Sequence, residues 1–192
     1  DGSGPSYEIA KSGRYHAVDA INGKLYWTDQ GSNSIWKSNI DGDQAKAIVT
    51  NVSGARPHER ALFGITIDPK NEKLYWVNRS DYKIQRSNLD GTEVEDFIGV
   101  ESNDGITDIA IDYQRKYLYW VSAGQSCVKR VSTVSVNPQA ENVICGIARS
   151  PEYLSLDVVD QKAYWVSYVD VKIQRSNFDG SNLEDLIVWG KN

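Results

Sequence analysis

The chain has 192 residues, 40% hydrophobic and 24% charged, a length and balance that fit one soluble globular domain. The formal net charge is −5 and the 21 basic residues are scattered among 26 acidic ones, which argues against a nucleic-acid-binding surface. No apolar run approaches the ~20 residues of a membrane-spanning helix, and two cysteines are too few for a zinc site or a disulfide-stapled scaffold.

The chain begins with a short strand-like segment, residues 1–10, in which Asp-Gly-Ser is followed by Tyr-Glu-Ile-Ala. This segment resembles the last strand of the repeated unit that follows it. The first full unit, residues 11–50, contains an aliphatic run ending at Asp19, the pair Tyr26-Trp27, an alternating segment and an Asp-Gly turn.

The same pattern recurs in residues 60–100, 104–146 and 150–190, so the chain consists of four similar units. From one Tyr-Trp pair to the next the spacing is 44 to 49 residues. An Asp stands seven positions before each Tyr, and in three units an Asp-Gly follows fifteen positions after it. Such fixed spacing indicates internal repetition. The pairs are Tyr26-Trp27, Tyr75-Trp76, Tyr119-Trp120 and Tyr164-Trp165, and the aspartates are Asp19, Asp68, Asp112 and Asp157.

Each unit predicts four short strands, A to D. Strand A is the aliphatic run ending at Asp, strand B carries Tyr-Trp, strand C alternates polar and apolar residues, and strand D follows the Asp-Gly. The Asn-Gly and Asp-Gly pairs suit the positive φ angles of tight hairpins. A period near 45 with four strands per unit is typical of propeller blades. The sequence therefore predicts an all-β fold, a single β-propeller domain over residues 1–192 with about four blades and a leading D-like strand.

The tetrapeptide Tyr26-Trp27-Thr28-Asp29 and its spacing to the Asp-Gly resemble the class B repeat of low-density lipoprotein receptors, named for its YWTD sequence. The resemblance extends over nearly the whole chain and implies a non-enzymatic propeller that recognises ligands. In that family the Thr and Asp help to join neighbouring blades. The three later units lack this pair, so we expect their inter-blade contacts to differ.

The number of units departs from the six blades that the resemblance implies. Three arrangements remain open: a propeller closed at four blades with one surplus strand, an open arc that needs a second chain, or part of a six-bladed parent. Closure at four is favoured, because an open arc exposes sheet edges and apolar blade faces. A homodimer through the surplus terminal strand is the next alternative.

Candidate ligand-binding residues lie mainly on the D–A and B–C loops, which share one face of a propeller. Family members tend to bind on this face, and charged, amide and aromatic groups on loops over a rigid scaffold suit recognition. Solvated loops are the alternative for each residue. The longest D–A loop contributes Arg56, His58 and Arg60, and the B–C loops contribute Asn78, Arg79, Tyr82 and Tyr168.

Trp36 is a separate candidate, because it stands in strand C where the other units have Gln85, Lys129 and Gln174. A large aromatic at a polar strand position is either an exposed anchor or an interface residue. The tryptophans of the four Tyr-Trp pairs are instead expected to pack between blades.

Cys127 and Cys145 fall in strands C and D of the third unit, where pairing about the hairpin centre places them opposite each other. Cross-strand neighbours are close enough for a bridge after small adjustment. We therefore predict a disulfide, with two buried thiols as the alternative, and the bridge favours an extracytoplasmic setting.

Two sequons, at Asn51 and Asn78, are weak glycosylation signals. Glycans at these positions would mask the proposed binding face. No nucleotide-binding, metal-binding or nucleophile motif is present, and no cofactor is predicted.

The sequence thus favours a secreted module that binds an extracellular protein or peptide. A stand-alone lectin with repeated sites is the main alternative, since repetition multiplies weak sites, and a propeller hydrolase is a third. Asp1 is not a translational start and no signal-peptide pattern opens the chain, so a processed or excised product is expected.

Overall fold

The structure is a computed structural model that describes residues 13–52 and 61–190. These residues form sixteen β-strands, and no helix among them is long and apolar enough to cross a membrane. In chain order the strands are β1 (Gly13–Asp19), β2 (Lys24–Asp29), β3 (Ser34–Asn39), β4 (Lys46–Val49), β5 (Leu62–Asp68), β6 (Lys73–Asn78), β7 (Lys83–Asn88), β8 (Glu95–Gly99), β9 (Ile106–Asp112), β10 (Tyr117–Ser122), β11 (Cys127–Ser132), β12 (Glu141–Cys145), β13 (Pro151–Asp157), β14 (Lys162–Ser167), β15 (Lys172–Asn177) and β16 (Glu184–Val188).

The strands form four sheets, each made of four consecutive antiparallel strands. These sheets are the four predicted propeller blades, so the all-β propeller prediction is confirmed. Blades 1 to 4 comprise β1–β4, β5–β8, β9–β12 and β13–β16, and β1, β5, β9 and β13 are their inner strands. The leading D-like segment, residues 1–10, lies outside the described residues.

The Asp that ends each inner strand holds the hairpin to the next strand. Asp19 Oδ1 accepts hydrogen bonds from the backbone N–H groups of Ile21 (3.1 Å) and Asn22 (3.0 Å). This Asx-type turn explains why an acidic residue recurs at this point in every unit. The same pair of bonds forms at Asp68, Asp112 and Asp157.

Successive blades pack through apolar cores in which the two residues of each Tyr-Trp pair point in opposite directions. Tyr75 joins Ile84 and Phe97 in the core shared with blade 3, whereas Trp76 lies in the core shared with blade 1. Trp120 and Trp165 likewise face the preceding blade and are 0% and 1% exposed. The predicted packing of tryptophans between blades is therefore confirmed for these three.

Polar contacts between blades are partly repeated and partly different. At equivalent positions, Lys37 donates to the Leu89 carbonyl between blades 1 and 2, and Arg130 donates to the Phe178 carbonyl between blades 3 and 4. Gln30 donates to the Leu62 carbonyl at 2.7 Å between blades 1 and 2. Between blades 3 and 4, Thr107 Oγ1 donates to the Pro151 carbonyl at 3.2 Å. The serine that ends the fourth tetrapeptide, Ser167, donates to the carbonyl of Arg149 in the loop leading into its own blade.

The described residues contain three inter-blade cores, and none of these joins blade 4 to blade 1. Inner strands contact each other in the succession β1, β5, β9 and β13, but β13 makes no comparable contact with β1. The favoured closure at four blades is therefore wrong for the described part of the chain. No described core joins the first and fourth blades, although the inner strands of both line the central cavity, so the described blades form an open arc.

Candidate functional site

The four inner strands line a central channel of ≈ 290 Å³. Each inner strand begins on the side of the molecule that carries the D–A loops, and there its third residue is Tyr in blades 1 and 4, Gly in blade 2 and Asp in blade 3. These third residues are Tyr15, Gly64, Asp108 and Tyr153. With their neighbours they form a surface that we call the mouth, defined by Tyr15, Phe63, Arg79, Asp108, Tyr153 and Tyr168.

Asp108 joins three blades at the mouth. Its Oδ2 accepts a hydrogen bond from Leu154 N at 3.0 Å, which links blade 3 to blade 4. On its other side it lies against Gly64 of blade 2, where an added Cβ would stand 2.6 Å from Asp108 Oδ1. Gly64 therefore makes room for this carboxylate. Burial raises the pKa of Asp108 to about 6, although the bonds from Leu154 N and Ile109 N oppose that shift.

One side of the mouth is a run of stacked cationic and aromatic groups. The guanidinium of Arg79 lies 4.9 Å from the centre of the Phe63 ring, and this ring lies 5.8 Å from the ring of Tyr15. Burial, together with the charge of Asp108, raises the pKa of Tyr15 to about 12. Tyr15 therefore presents a neutral hydroxyl at physiological pH.

The other side of the mouth is an exposed pair of tyrosines. The rings of Tyr153 and Tyr168 meet edge to face at 6.1 Å, and they are 41% and 61% exposed. A hydrogen bond with Tyr168 raises the pKa of Tyr153. Arg149 pairs with Asp170 through Nε (3.0 Å) and Nη2 (2.8 Å), which holds the loops on either side of this pair together.

The chemistry of the mouth is that of a recognition surface. It offers apolar ring faces, neutral hydroxyl donors, one guanidinium and one carboxylate with a raised pKa. Aromatic side chains supply large contact areas at low entropic cost. Within residues 13–52 and 61–190, no group of three or more His, Cys, Asp or Glu side chains is arranged to hold a metal ion.

The structure brings two of the predicted binding residues, Arg79 and Tyr168, to the mouth. Tyr82 is 49% exposed and lines a crevice of ≈ 50 Å³ between blades 2 and 3. Arg56, His58 and Arg60 lie outside the described residues. The ligand-binding role of all these residues stays a prediction.

Asn78 has a structural environment that weighs against both of its predicted roles. Its side chain is 0% exposed and donates to Asp81 Oδ2 and Gln85 Oε1, each at 3.2 Å. A buried amide held in this way shapes the B–C turn and leaves no room for a ligand or a glycan. Asn51, the other sequon residue, is exposed and adopts a positive φ of 53°.

Trp36 is half-buried and stacks on Trp27, directly opposite it in the strand register, with ring centres 6.1 Å apart. It therefore lies on the side of blade 1 that corresponds to the inter-blade side of later blades. Of the two alternatives for Trp36, this position favours an interface residue over a free-standing anchor.

The disulfide between Cys127 and Cys145 is present, as predicted. The two residues are direct partners in the register of β11 and β12. The bridge therefore closes strands C and D within blade 3 and crosses no blade boundary.

Sequence reasoning missed the inner-strand half of the mouth: Tyr15, Phe63, Asp108 and Tyr153. A usable signal was present, because the third position of strand A holds three different residue types (Tyr, Gly and Asp) in an otherwise repetitive segment. A position that varies while its neighbours repeat is one that the repeated packing does not constrain.

These features define a β-propeller array whose repeat resembles the YWTD type. No known family profile matches the chain. Among solved structures, it is similar to a chain of a nidogen–laminin complex, with 19% identity and a TM-score of 0.77 over 91% of this chain and 64% of that one. A putative TolB from Agrobacterium tumefaciens matches with 16% identity and a TM-score of 0.68, over 90% of this chain and 64% of that one.

A virginiamycin B lyase from Staphylococcus aureus is also similar, with 13% identity and a TM-score of 0.70 over 93% of this chain and 56% of that one. Identities this low show a shared fold and no more. The chain spans less than two-thirds of the length of each of these three structures.

Proposed function

We propose that this chain is a non-enzymatic recognition module that binds an extracellular protein or peptide at the mouth. The observation that carries the proposal is the mouth itself, where an exposed tyrosine pair and a ring-stacked guanidinium lie on inner strands and B–C loops of neighbouring blades. Rigid aromatic and arginine groups of this kind dominate the binding energy of protein interfaces.

The similarity to a propeller chain in a nidogen–laminin complex supports a protein partner, because it joins the same fold to a protein complex. The Cys127–Cys145 disulfide supports an oxidising, extracellular location. Catalysis is not part of the proposal, although a lyase shares the fold.

A glycan ligand is the second candidate, and the exposed Tyr153–Tyr168 pair is the observation that favours it. Aromatic faces pack against the apolar faces of sugar rings as they do against peptide side chains. Both candidate ligands would bind at the mouth, but only binding of a glycan should be inhibited by a free monosaccharide.

Binding to immobilised laminin and a glycan array, with monosaccharide competition, tests both candidates. Under the protein-ligand proposal, laminin is retained without sugar inhibition, and Tyr153→Ala or Arg79→Ala weakens retention at least tenfold. Val159→Ala, at an exposed position on the opposite side, is the control. Tyr82→Ala tests separately whether the crevice between blades 2 and 3 belongs to the binding site.

Sugar-inhibited binding across the array would replace the protein proposal with the lectin. If the chain binds neither laminin nor any glycan, or if the mouth variants and the Val159 control lose binding equally, the mouth is not the binding site.

A further inference from the structure

Three of the four blades contain the same polar triad on strands B, C and D. In blade 2, Arg86 on strand C donates to Glu95 on strand D at 2.7 Å, and its guanidinium also interacts with the hydroxyl of Tyr75 on strand B. Blades 3 and 4 repeat this arrangement, and in each blade the arginine and the glutamate are direct partners in the strand register. The repeated triads are Tyr75–Arg86–Glu95, Tyr119–Arg130–Glu141 and Tyr164–Arg175–Glu184.

Blade 1 has Tyr26, Lys37 and Lys46 at the three positions of this triad. The two lysines are register partners, so two positive side chains stand where the other blades have an Arg–Glu ion pair. Like charges opposite each other on neighbouring strands are destabilising. Within residues 13–52 and 61–190, no carboxylate forms an ion pair with either lysine. The hydroxyl of Tyr26 is buried and has no hydrogen-bond partner among the same residues.

A cavity of ≈ 590 Å³ lies between blades 1 and 2 at this altered triad, and we call it the turn-side cavity. Tyr26 and Lys37 line it from blade 1, and Leu89 and Asp90 line it from the C–D turn of blade 2. Because A–B and C–D turns surround it, it lies on the face opposite the mouth. Both walls belong to blades that pack on each other within the arc. Its volume is in the range of small-molecule sites, about 300–1,000 Å³.

The carboxylates that line the turn-side cavity are either committed to bonds of their own turns or exposed to solvent. Asp19 accepts three hydrogen bonds from Ile21 and Asn22 in its A–B turn. Asp90 accepts two from Thr92 in its C–D turn. The third carboxylate, Glu72, is exposed. None of the three occupies the position that the triad glutamate has in the other blades.

Lys37 is the cation that most lacks a counter-charge in this cavity. Its ammonium group donates to the carbonyl of Leu89 at 3.1 Å, which is a neutral acceptor. Burial lowers the pKa of Lys37, and the nearby charges of Lys24 and Lys46 lower it further, although Asp90 and Asp19 oppose the shift. An anion beside Lys37 and Lys46 would relieve their mutual repulsion, and hydrogen bonds between charged groups are stronger than those between neutral ones.

We propose that the turn-side cavity binds a small acidic molecule whose oxyanion group, a carboxylate, sulfate or phosphate, lies between Lys37 and Lys46. The oxyanion takes the place that the glutamate carboxylate holds in blades 2 to 4. Tyr26, whose hydroxyl is buried in the same wall, supplies a neutral donor, because burial raises its pKa to about 12. The site is separate from the mouth and does not depend on the function proposed there.

Titration of the full 192-residue chain with four sodium salts tests the proposal: sulfate, phosphate, acetate and glucuronate, each at an ionic strength held constant with sodium chloride. Backbone amide NMR shifts report where each anion binds. We expect saturable shifts at Lys37, Lys46 and Leu89 with at least one of the four. Glucose, the uncharged counterpart of glucuronate, should give none at these residues. The anion that binds most tightly identifies the kind of oxyanion group.

Lys46→Glu gives blade 1 the opposite charges that the other three triads have. Anion affinity should fall by about tenfold or more, because the introduced carboxylate pairs with Lys37 and repels the ligand. Thermal stability without ligand should be unchanged or higher, since the cross-strand pair becomes attractive. Lys116→Glu is the matched control: it makes the same charge change at an exposed A–B turn position where blade 2 already has Glu72. Its anion affinity should match that of the wild type.

The proposal is overturned if none of the four anions gives saturable shifts at constant ionic strength. It is also overturned if the shifts occur at the mouth instead of at Lys37 and Lys46, or if Lys116→Glu weakens binding as much as Lys46→Glu does. The last result would show that the anions respond to the overall charge of the chain and not to this cavity.

Discussion

Blades 2 and 4 are nearly the same in sequence over residues 83–91 and 172–180, yet their side chains have different surroundings. Ile84 is 0% exposed, whereas Ile173 at the same position is only half-buried. The difference comes from the neighbour, because blade 3 covers blade 2 and no described residue covers blade 4 in the same way. In a repeat array, the sequence of a unit therefore determines its strands and turns, while the adjacent unit determines its burial.

The polar contacts inside the blade are the same in blades 2 and 4, whereas blade 3, which lies between them, has a different contact. In blade 2, Trp76 donates to Gln85, and Gln85 donates to Asp96; blade 4 has the same chain of bonds through Trp165, Gln174 and Asp185. Blade 3 has Lys129 at the glutamine position, where it forms a 2.8 Å ion pair with Asp104. Their side chains are 7% and 3% exposed.

Replacing Lys129 gives the largest expected effect, because it leaves the buried Asp104 carboxylate without its partner. We expect Lys129→Met to lower the free energy of unfolding by about 3–5 kcal/mol. Chemical denaturation at neutral pH measures this loss. The double variant Lys129→Met/Asp104→Leu should recover most of it, and equal destabilisation of the single and double variants would contradict the ion-pair explanation.

The isoleucine pair sharpens the comparison of blades 2 and 4 directly. Ile84→Ala should cost about 2–4 kcal/mol, because it leaves a cavity in the core under blade 3. Ile173→Ala should cost about 1 kcal/mol, since that side chain is only half-buried. Denaturant titrations at low protein concentration compare the two losses, and equal losses would show that blade 4 is covered in solution.

The connection between strands C and D offers a comparison across three blades. Where blade 3 has Cys127 opposite Cys145, blades 2 and 4 have Lys83 and Lys172 opposite Gly99 and Val188. The two lysine side chains form ion pairs with Asp96 (2.9 Å) and Asp185 (3.1 Å), farther along strand D. The double Cys→Ser variant should lose roughly 2–4 kcal/mol, whereas Lys83→Ala should lose at most ~1 kcal/mol because surface ion pairs are screened. Thermal unfolding of the two variants measures both losses of stability. A larger loss for Lys83→Ala than for the double Cys→Ser variant would contradict this prediction.

Replacing Asp108, the third residue of the inner strand of blade 3, gives the smallest expected effect on stability. The folded-state pKa of Asp108 is about 6, above its usual unfolded value near 4, so the folded chain binds the proton more tightly. This contribution to stability is complete below pH ~4 and is lost as pH rises through 6. Asp108→Asn should therefore abolish the loss of about 1–3 kcal/mol of stability that the wild type shows between pH 4 and pH 7.5. Its amide nitrogen faces one of the two backbone N–H donors, Ile109 N or Leu154 N, which lowers stability equally at every pH. The prediction is contradicted if the free energy of unfolding depends on pH in the same way in the variant and in the wild type.

Much of the fold was predictable from the repeats. The spacing of Tyr-Trp, Asp and Asp-Gly predicted the four blades, because strand alternation and turn chemistry are local properties. The facing cysteines were predictable for the same reason, since their hairpin register follows from chain order.

Closure and the mouth were not predictable, because both depend on the relative positions of different blades. Asp108 contacts Leu154 and lies against Gly64, two residues that are distant from it in sequence and come from two other blades. Loop composition did indicate Arg79 and Tyr168, since exposed charged and aromatic residues on B–C loops share one face. It could not show that Asn78, one residue before Arg79, has its amide buried.

The disulfide lies within one blade, and this position bears on how such an array can grow. A covalent bond between blades would fix their number, because any inserted unit would separate its two ends. Cys127 and Cys145 instead close a hairpin inside blade 3, with a separation of 18 residues. The bridge therefore depends on no other blade, and a blade added or removed on either side would leave the two cysteines opposite each other.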